Sequence, residues 1–361
     1  MGPIRRPAGP RPEARRGFLA GLGAGRGRLS RHWWLIGAAA AFLYLVRPIL
    51  PPFILGTVLA YLLDPAVGAL GRWLRVPRAA AVVAVYLVFL GVLAGLAAVL
   101  IPLLGIEAQE LTRHGPEILE AVFLRLFGSP ELDLFGRPLT ARALGLYLVR
   151  TAEAFAGEPR EALQVAAALL ETILGSFLTL VVAFYLLLDG RRLAAGALAL
   201  LPGEVRTEVS ALARPVHRVF GRYLRGQLFL VLFMAAVTYM VLKFGFNLRY
   251  ALAVALLTGL LEVVPFVGPA AAAVLAAGLG LAQHGPEAAA AILLSYLVLR
   301  QMEDQLVIPI VLGRATGLHP VLTLFAVLCG GVLAGLLGVV LAVPAAAAIK
   351  VVVDRYRTDG T

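Results

Sequence analysis

Residues 79–106, AAAVVAVYLVFLGVLAGLAAVLIPLLGI, form 28 consecutive positions without a charged side chain. Residues 162–188, ALQVAAALLETILGSFLTLVVAFYLLL, form 27 with Glu171 as the only charge. An α-helix rises about 1.5 Å per residue, so roughly 20 apolar residues cross the ~30 Å hydrocarbon core of a bilayer. A water-soluble fold has no use for such blocks. Of the 361 residues, 60% are apolar and 15% charged, against roughly 45–50% and 25% in soluble domains. The chain reads as an all-α, polytopic integral membrane protein whose function lies within or across the bilayer.

Further apolar stretches fall at about 33–46, 48–63, 226–242, 250–284, 288–299, 306–313 and 320–350. Together they predict about eight transmembrane helices. Several stretches are short or are interrupted by Pro or Gly, which predicts broken or re-entrant segments; loosened backbone is permitted there only where protein or water covers it. Loop charge gives the orientation, because Lys and Arg favour the cytoplasmic side. Residues 1–32 carry eight Arg against Glu13, residues 64–78 are net +2, residues 107–161 net −3, and residues 189–225 net +4. These signs alternate as the intervening spans require, with both termini cytoplasmic. The expected organisation is a disordered basic tail at 1–32, three transmembrane helices in 33–104, and a small extracytoplasmic helical subdomain at 105–160. A fourth helix follows at 161–188, a cytoplasmic amphipathic segment at 189–225, a bundle with two helical hairpins at 226–353, and a short tail at 354–361.

The formal net charge of +11 is concentrated in a Pro/Gly/Arg-rich tail. That suits anionic head groups or cytosol and gives no folded basic face with interleaved aromatics, so no nucleic-acid role is expected. The alternating glycines Gly21, Gly23, Gly25 and Gly27 lack the preceding strand of a phosphate-binding loop. The single Cys329 excludes an internal disulfide framework and reads as a small hydrophobe. His114, His217, His284 and His319 fall in loops or interfaces, where solvated histidines account for them better than a metal centre. The expectation is no enzyme, no metal and no cofactor. Residues 33–46 have the length of a signal-peptide core, but the spans that follow favour a first anchor.

Ionisable residues within apolar sequence cost about 2.5–3.5 kcal/mol each at mid-bilayer and so mark candidate sites. Glu171 falls near an interface, where a solvated helix end explains it. Glu262 lies in Leu260-Leu261-Glu262-Val263-Val264-Pro265-Phe266-Val267-Gly268-Pro269. Pro265 and Pro269 lack amide donors and Gly268 loosens the turn, so the helix should fail here, freeing carbonyls beside a carboxylate. The alternative is a cytoplasmic loop between two full spans. A third cluster, Arg300-Gln301-Met302-Glu303-Asp304-Gln305, puts five polar side chains over about 200° of a helix, which no lipid-facing helix could show. It meets water, a cavity or other helices, or it is a solvated loop; Arg300 and Asp304 could pair. In 320–350, Gly331 and Gly335 permit close helix packing, and Gly330-Gly331 could instead turn the chain. Hairpins at 250–283 and 320–350 of opposite sense would make an inverted repeat around a shared site.

The motifs Arg222-Tyr223-Leu224-Arg225-Gly226-Gln227, Glu262 through Pro269, Gln301-Met302-Glu303-Asp304-Gln305 with Pro309 and Gly313, Gly317-Leu318-His319-Pro320, and Gly338 through Ala342-Val343-Pro344 follow in order. In this the chain resembles the autoinducer-2 exporter family of bacterial inner-membrane transporters, over nearly everything after about residue 30. The resemblance implies a secondary transporter without an ATP-binding domain, linked to export of the quorum signal or to sodium(lithium)/proton antiport. Asp304 stands where a neutral amide is expected, which favours a cation role. On this reading a small polar solute or cation is the partner besides the lipid bilayer, and Glu262, Glu303, Asp304, Gln301 and Gln305 line its path. Arg225 and Gln227 stand at the cytoplasmic entrance, and Pro265, Gly268, Pro309, Gly313 and Pro320 supply the helix breaks. A homo-oligomer is a further expectation. A non-transporting membrane scaffold or regulator is the reading of another class.

Overall fold

The computed structural model describes residues 45–134, 137–147, 162–311 and 318–358. The expected basic tail, most of the expected first span, Gly313 and residues 359–361 lie outside the described residues. A short unit ends at Phe53, and a compact unit runs from Ile54 to Thr361; the packing below is that of the second.

The described chain is helical apart from one two-stranded hairpin. Helix α1 spans Leu50–Leu74 and α2 spans Arg78–Phe127. Strands β1 (Glu131–Leu134) and β2 (Arg137–Thr140) pair antiparallel with Leu132 opposite Leu139. Helices α3 (Ala162–Ala199), α4 (Gly203–Met240), α5 (Ala251–Leu261), α6 (Val267–His284) and α7 (Pro286–Met302) follow. A π-helical turn at Glu303–Val307, the short α8 (Ile308–Val311) and α9 (Pro320–Thr358) complete the described chain. Six helical segments among the described residues are long and apolar enough to cross a membrane. The expected first span is largely outside the description, and α5 and α7 are shorter than a clean crossing. Leu87, Val88 and Ile101 of α2 are each more than 60% exposed. Aliphatic side chains presented so continuously need lipid rather than water around them.

Three elements lock α1, α2 and α3 at one end. Arg78 donates to Asp64 at 2.8 Å and to the Leu187 carbonyl at 3.0 Å. Val67, Ala81, Val82, Ala183 and Leu187 are buried together beside them. Gly56 admits the close approach of α3, since a Cβ there would stand 2.7 Å from Val182 Cγ1.

Two sequence expectations need correction. In the stretch expected as a helical subdomain at 105–160, α2 instead continues through Gly115–Pro116, running 50 residues in all, about 75 Å, and stops only at Gly128, φ +73°. The ring of Pro116 is accommodated because Gly145 offers no side chain where a Cβ would stand 2.6 Å from Pro116 Cα. From Gly128 the chain leads into the β1–β2 hairpin. Residues 189–225 likewise form no separate surface segment. They belong to the end of α3 and to the first 23 residues of α4, joined by a short turn at Pro202, and α4 runs without interruption into the apolar bundle.

The chain doubles back twice. Helix α5 ends at Leu261 and α6 starts at Val267, with Phe266 between them at φ +65°. The arms touch so closely that a Cβ on Gly268 would fall 1.8 Å from the Leu261 carbonyl oxygen. In α9 the turn falls at Ala334–Gly335, with Gly335 at φ +58° and ψ −139°. Gly330 and Gly338 face each other across it, each leaving room only for the other's backbone. A glycine-to-turn assignment at Gly330-Gly331 therefore shifts by four residues: that pair supplies packing, and Gly335 supplies the left-handed geometry that side chains resist. Of the expected breaks, Pro309 lies within α8 and Pro320 opens α9, where a missing amide costs no hydrogen bond.

Gly338→Ala and Gly268→Ala should each destabilise the detergent-solubilised protein by about 1–3 kcal/mol, the usual range for overpacking. Gly278→Ala, where nothing lies within 4 Å of the added methyl, should be neutral or slightly stabilising. Thermal unfolding of the three variants decides it, and equal melting temperatures would remove the close-crossing account of both hairpins.

Candidate ion and substrate site

The α5–α6 tip, the end of α7 and the middle of α4 meet at one cluster of charge. Proline at 265 and the positive φ of Phe266 end α5, so the carbonyl of Glu262 has no helical partner. Gln227 of α4 donates its side-chain amide to that carbonyl at 3.2 Å. A freed backbone acceptor inside a bundle needs such a partner, because lipid offers none.

The side chain of Glu262 turns towards α7. Arg300 Nη1 donates to Glu262 Oε1 at 2.9 Å and to Glu303 Oε2 at 3.1 Å. Its other edge grips Asp304 as a fork, Nε to Oδ2 at 3.1 Å and Nη2 to Oδ1 at 3.0 Å. The π-helical turn at Glu303–Val307 makes this possible. The widened turn swings Glu303 inward and leaves Asp304 outward: their side chains are 0% and 41% exposed, with Glu262 at 5% and Arg300 at 25%. Glu262 Oε2 and Glu303 Oε1 are buried without a hydrogen-bond partner. One guanidinium thus faces three carboxylates, and two carboxylate oxygens remain open within the protein.

One turn away, a second polar rung joins the same two helices. Thr258, four residues before Glu262, meets Tyr296, four before Arg300, hydroxyl to hydroxyl at 2.9 Å. Thr258, Tyr296 and Thr238 of α4 are all buried.

The sequence-predicted residues divide accordingly. Glu262, Glu303 and Asp304 come together on Arg300, and Gln227 supports the break. Gln301 and Gln305 are exposed and point away from the cluster's buried side. Arg225 lies outside it, donating to the Tyr61 carbonyl at 3.4 Å. Arg300, read from sequence only as a partner for Asp304, is the centre of the site. Thr258 and Tyr296 had no charged residue beside them in sequence to draw attention to them; their i+4 spacing to Glu262 and Arg300 was the available signal.

The far end of α2 fixes the open end of the α5–α6 hairpin. Glu107 accepts from the Ala253 amide at 2.8 Å, and Arg125 donates to the Leu281 carbonyl. The hairpin therefore shares its open end with the polar extension of α2, and its tip points to the opposite end. From the start of α7 at Pro286, Arg300 lies about 21 Å along the helix.

Comparison with known proteins gives a consistent result. Residues 34–358 match the sequence profile of a family described as AI-2E family transporter. YrrI of Bacillus subtilis is 28% identical over 322 residues, covering 87% of this chain and 88% of its own. The AI-2 transport protein TqsA of Escherichia coli is 25% identical over 312 residues, covering 85% of this chain and 86% of its own. PerM of Escherichia coli is 25% identical over 342 residues, covering 89% and 91%.

Arg300→Met should destabilise the protein by about 3–5 kcal/mol, because it leaves Glu262 and Glu303 buried without their counter-charge. Adding Glu303→Gln to that variant should recover part of the loss. Unfolding of the single and double variants in detergent tests this; a double variant no more stable than Arg300→Met alone would show that the pairing does not govern stability.

Proposed function

The chain belongs to the AI-2E transporter family, and from that premise we propose that it is a secondary transporter moving a small polar solute or ion across the bacterial inner membrane, in the direction of export. The observation that carries the reading is the buried Glu262–Arg300–Glu303 cluster at the tip of an interrupted helical hairpin, with Glu262 Oε2 and Glu303 Oε1 unpartnered. Interrupted helices with charged groups near the midplane are a common way to build transport sites, since loosened backbone and side chains can bind what continuous helices cannot.

The charge balance favours a particular coupling. When ionised, the buried Glu262 and Glu303 hold one more negative charge than Arg300 neutralises, before the exposed Asp304 is counted. In a site shielded from water such an excess is costly, and a proton or a small cation relieves it. Loading and unloading that positive charge would couple the site to an ion gradient, so exchange of sodium or lithium for protons is the second reading. Autoinducer-2, named in the description of TqsA, is the organic solute to test first. Gln227 is placed to respond, because its amide holds the carbonyl of the residue whose carboxylate meets Arg300.

In the proposed orientation, both termini and the end carrying Arg78, Arg214 and Arg222 face the cytoplasm, and the polar extension of α2 faces outward. The two hairpins would enter from opposite sides. With Cys329 replaced by Ala, cysteines introduced at Gln283 and Leu318 should react with a membrane-impermeant reagent from opposite sides of intact cells. Labelling from the same side would remove the inverted arrangement.

Glu262→Gln and Glu303→Gln should each abolish flux in proteoliposomes assayed with sodium, lithium and autoinducer-2, while the purified variants keep a cooperative melting transition. Undiminished flux in the double variant would overturn the assignment of these carboxylates.

A further inference from the structure

At the end of the bundle where α1, α2, α3 and α4 are locked together, two cavities lie side by side. The first, about 420 Å³, is lined by Ala60, Leu186, Leu187, Ala194 and Ala213 together with Asp64, Arg78 and Arg191. The second, about 400 Å³, is lined by Arg214, His217, Arg218, Gly221, Arg222 and Arg225. Arg214 and His217 border both. The result is one recess with a greasy half and a cationic half.

The sequence of α4 produces the cationic half. Arg214, Arg218, Arg222 and Arg225 recur at spacings of four, four and three, which at about 100° per residue confines them to roughly 80° of the helix circumference. No carboxylate forms an ion pair with Arg214, Arg218 or Arg222 among the described residues. Gly221 keeps the floor low: a Cβ there would stand 3.1 Å from Arg225 Nη1. His217 is fixed at the boundary by the Tyr61 hydroxyl, 2.9 Å from its Nδ1. In the apolar half Asp64 is the nearby acid, and Arg78 neutralises it. Four guanidiniums gathered within about 17 Å of helix repel one another and invite an anion. Their planar forks match phosphate oxygens in pairs.

We propose that this recess binds one anionic phospholipid, its phosphate held by Arg214, Arg218 and Arg222 and the start of an acyl chain occupying the cavity beside Leu186 and Leu187. The adjoining apolar cavity is what selects a lipid over a soluble phosphate, which would leave that half unfilled. The site is separate from the Glu262–Arg300–Glu303 cluster and does not depend on the transport reading.

The test uses the full-length protein, delipidated in detergent, with phosphatidylglycerol, phosphatidylcholine or inorganic phosphate added and thermal stability measured. Retained lipid is read in parallel by native mass spectrometry. Phosphatidylglycerol should raise the melting temperature and stay bound, while phosphatidylcholine and inorganic phosphate should not. The variant Arg218→Gln/Arg222→Gln should bind phosphatidylglycerol on the order of thirtyfold more weakly and melt like the parent without lipid. Arg192→Gln, an exposed arginine outside the recess, should bind like the parent, as should Glu262→Gln/Glu303→Gln. Equal protection by the two lipids, protection by inorganic phosphate matching phosphatidylglycerol, or undiminished binding by the double arginine variant would each overturn the proposal.

Discussion

Arg300 is the one side chain on which two interrupted helices close. Glu262 comes from the tip of the α5–α6 hairpin, Glu303 and Asp304 from the π-helical turn after α7, and a single guanidinium reaches all three. Buried ion pairs contribute little net stability, because desolvation offsets most of the attraction, yet removing one partner is strongly destabilising. The fold around the cluster is consequently built to hold its geometry. Gly259 lets α5 lie against α4, where a Cβ would stand 2.5 Å from the Val231 carbonyl oxygen. Gly280 lets α6 lie against Ile292 of α7. Glycine at these crossings replaces the hydrophobic driving force that water would supply, since in lipid helices associate through close packing and polar contacts.

Much of this was legible in the amino-acid sequence, for definite physical reasons. Pro265 and Gly268 announce a break because one lacks an amide and the other lacks a Cβ, and neither property depends on tertiary context. The 300–305 run declares itself because no lipid-facing helix can carry polarity on so much of its circumference. What stayed hidden was long-range. Arg300 and Glu262 are 38 residues apart, and nothing local in either segment names the other. Thr258 and Tyr296 vanish into largely apolar runs, because a hydroxyl there leaves no trace in charge.

Glycine and proline were ambiguous in the opposite sense. Gly115–Pro116 and Gly330-Gly331 both look like interruptions, and both are packing features. The first sits within α2 against Gly145, and the second faces Gly338 across the α9 hairpin. A small residue permits a turn and a close approach equally well, so its role is decided by what arrives from elsewhere in the chain. The same holds for α4, whose basic first half looked like a surface segment and instead continues without a break into the bundle.

The two polar rungs between α5 and α7 carry a consequence for specificity. Apolar faces in lipid can slide past one another by a turn with little change in energy, because neighbouring aliphatic surfaces are nearly interchangeable. Thr258 against Tyr296 and Glu262 against Arg300 cannot slide. A one-turn shift of about 5.4 Å would set a carboxylate against a phenol and leave the guanidinium facing hydrocarbon. The rungs therefore fix which turn of α7 faces the hairpin tip, and they place the widened turn at Glu303–Val307 where its first residue reaches the cluster. Register, rather than net stability, is what this buried polarity supplies, and it fixes where the two open carboxylate oxygens, both buried, sit in the interior.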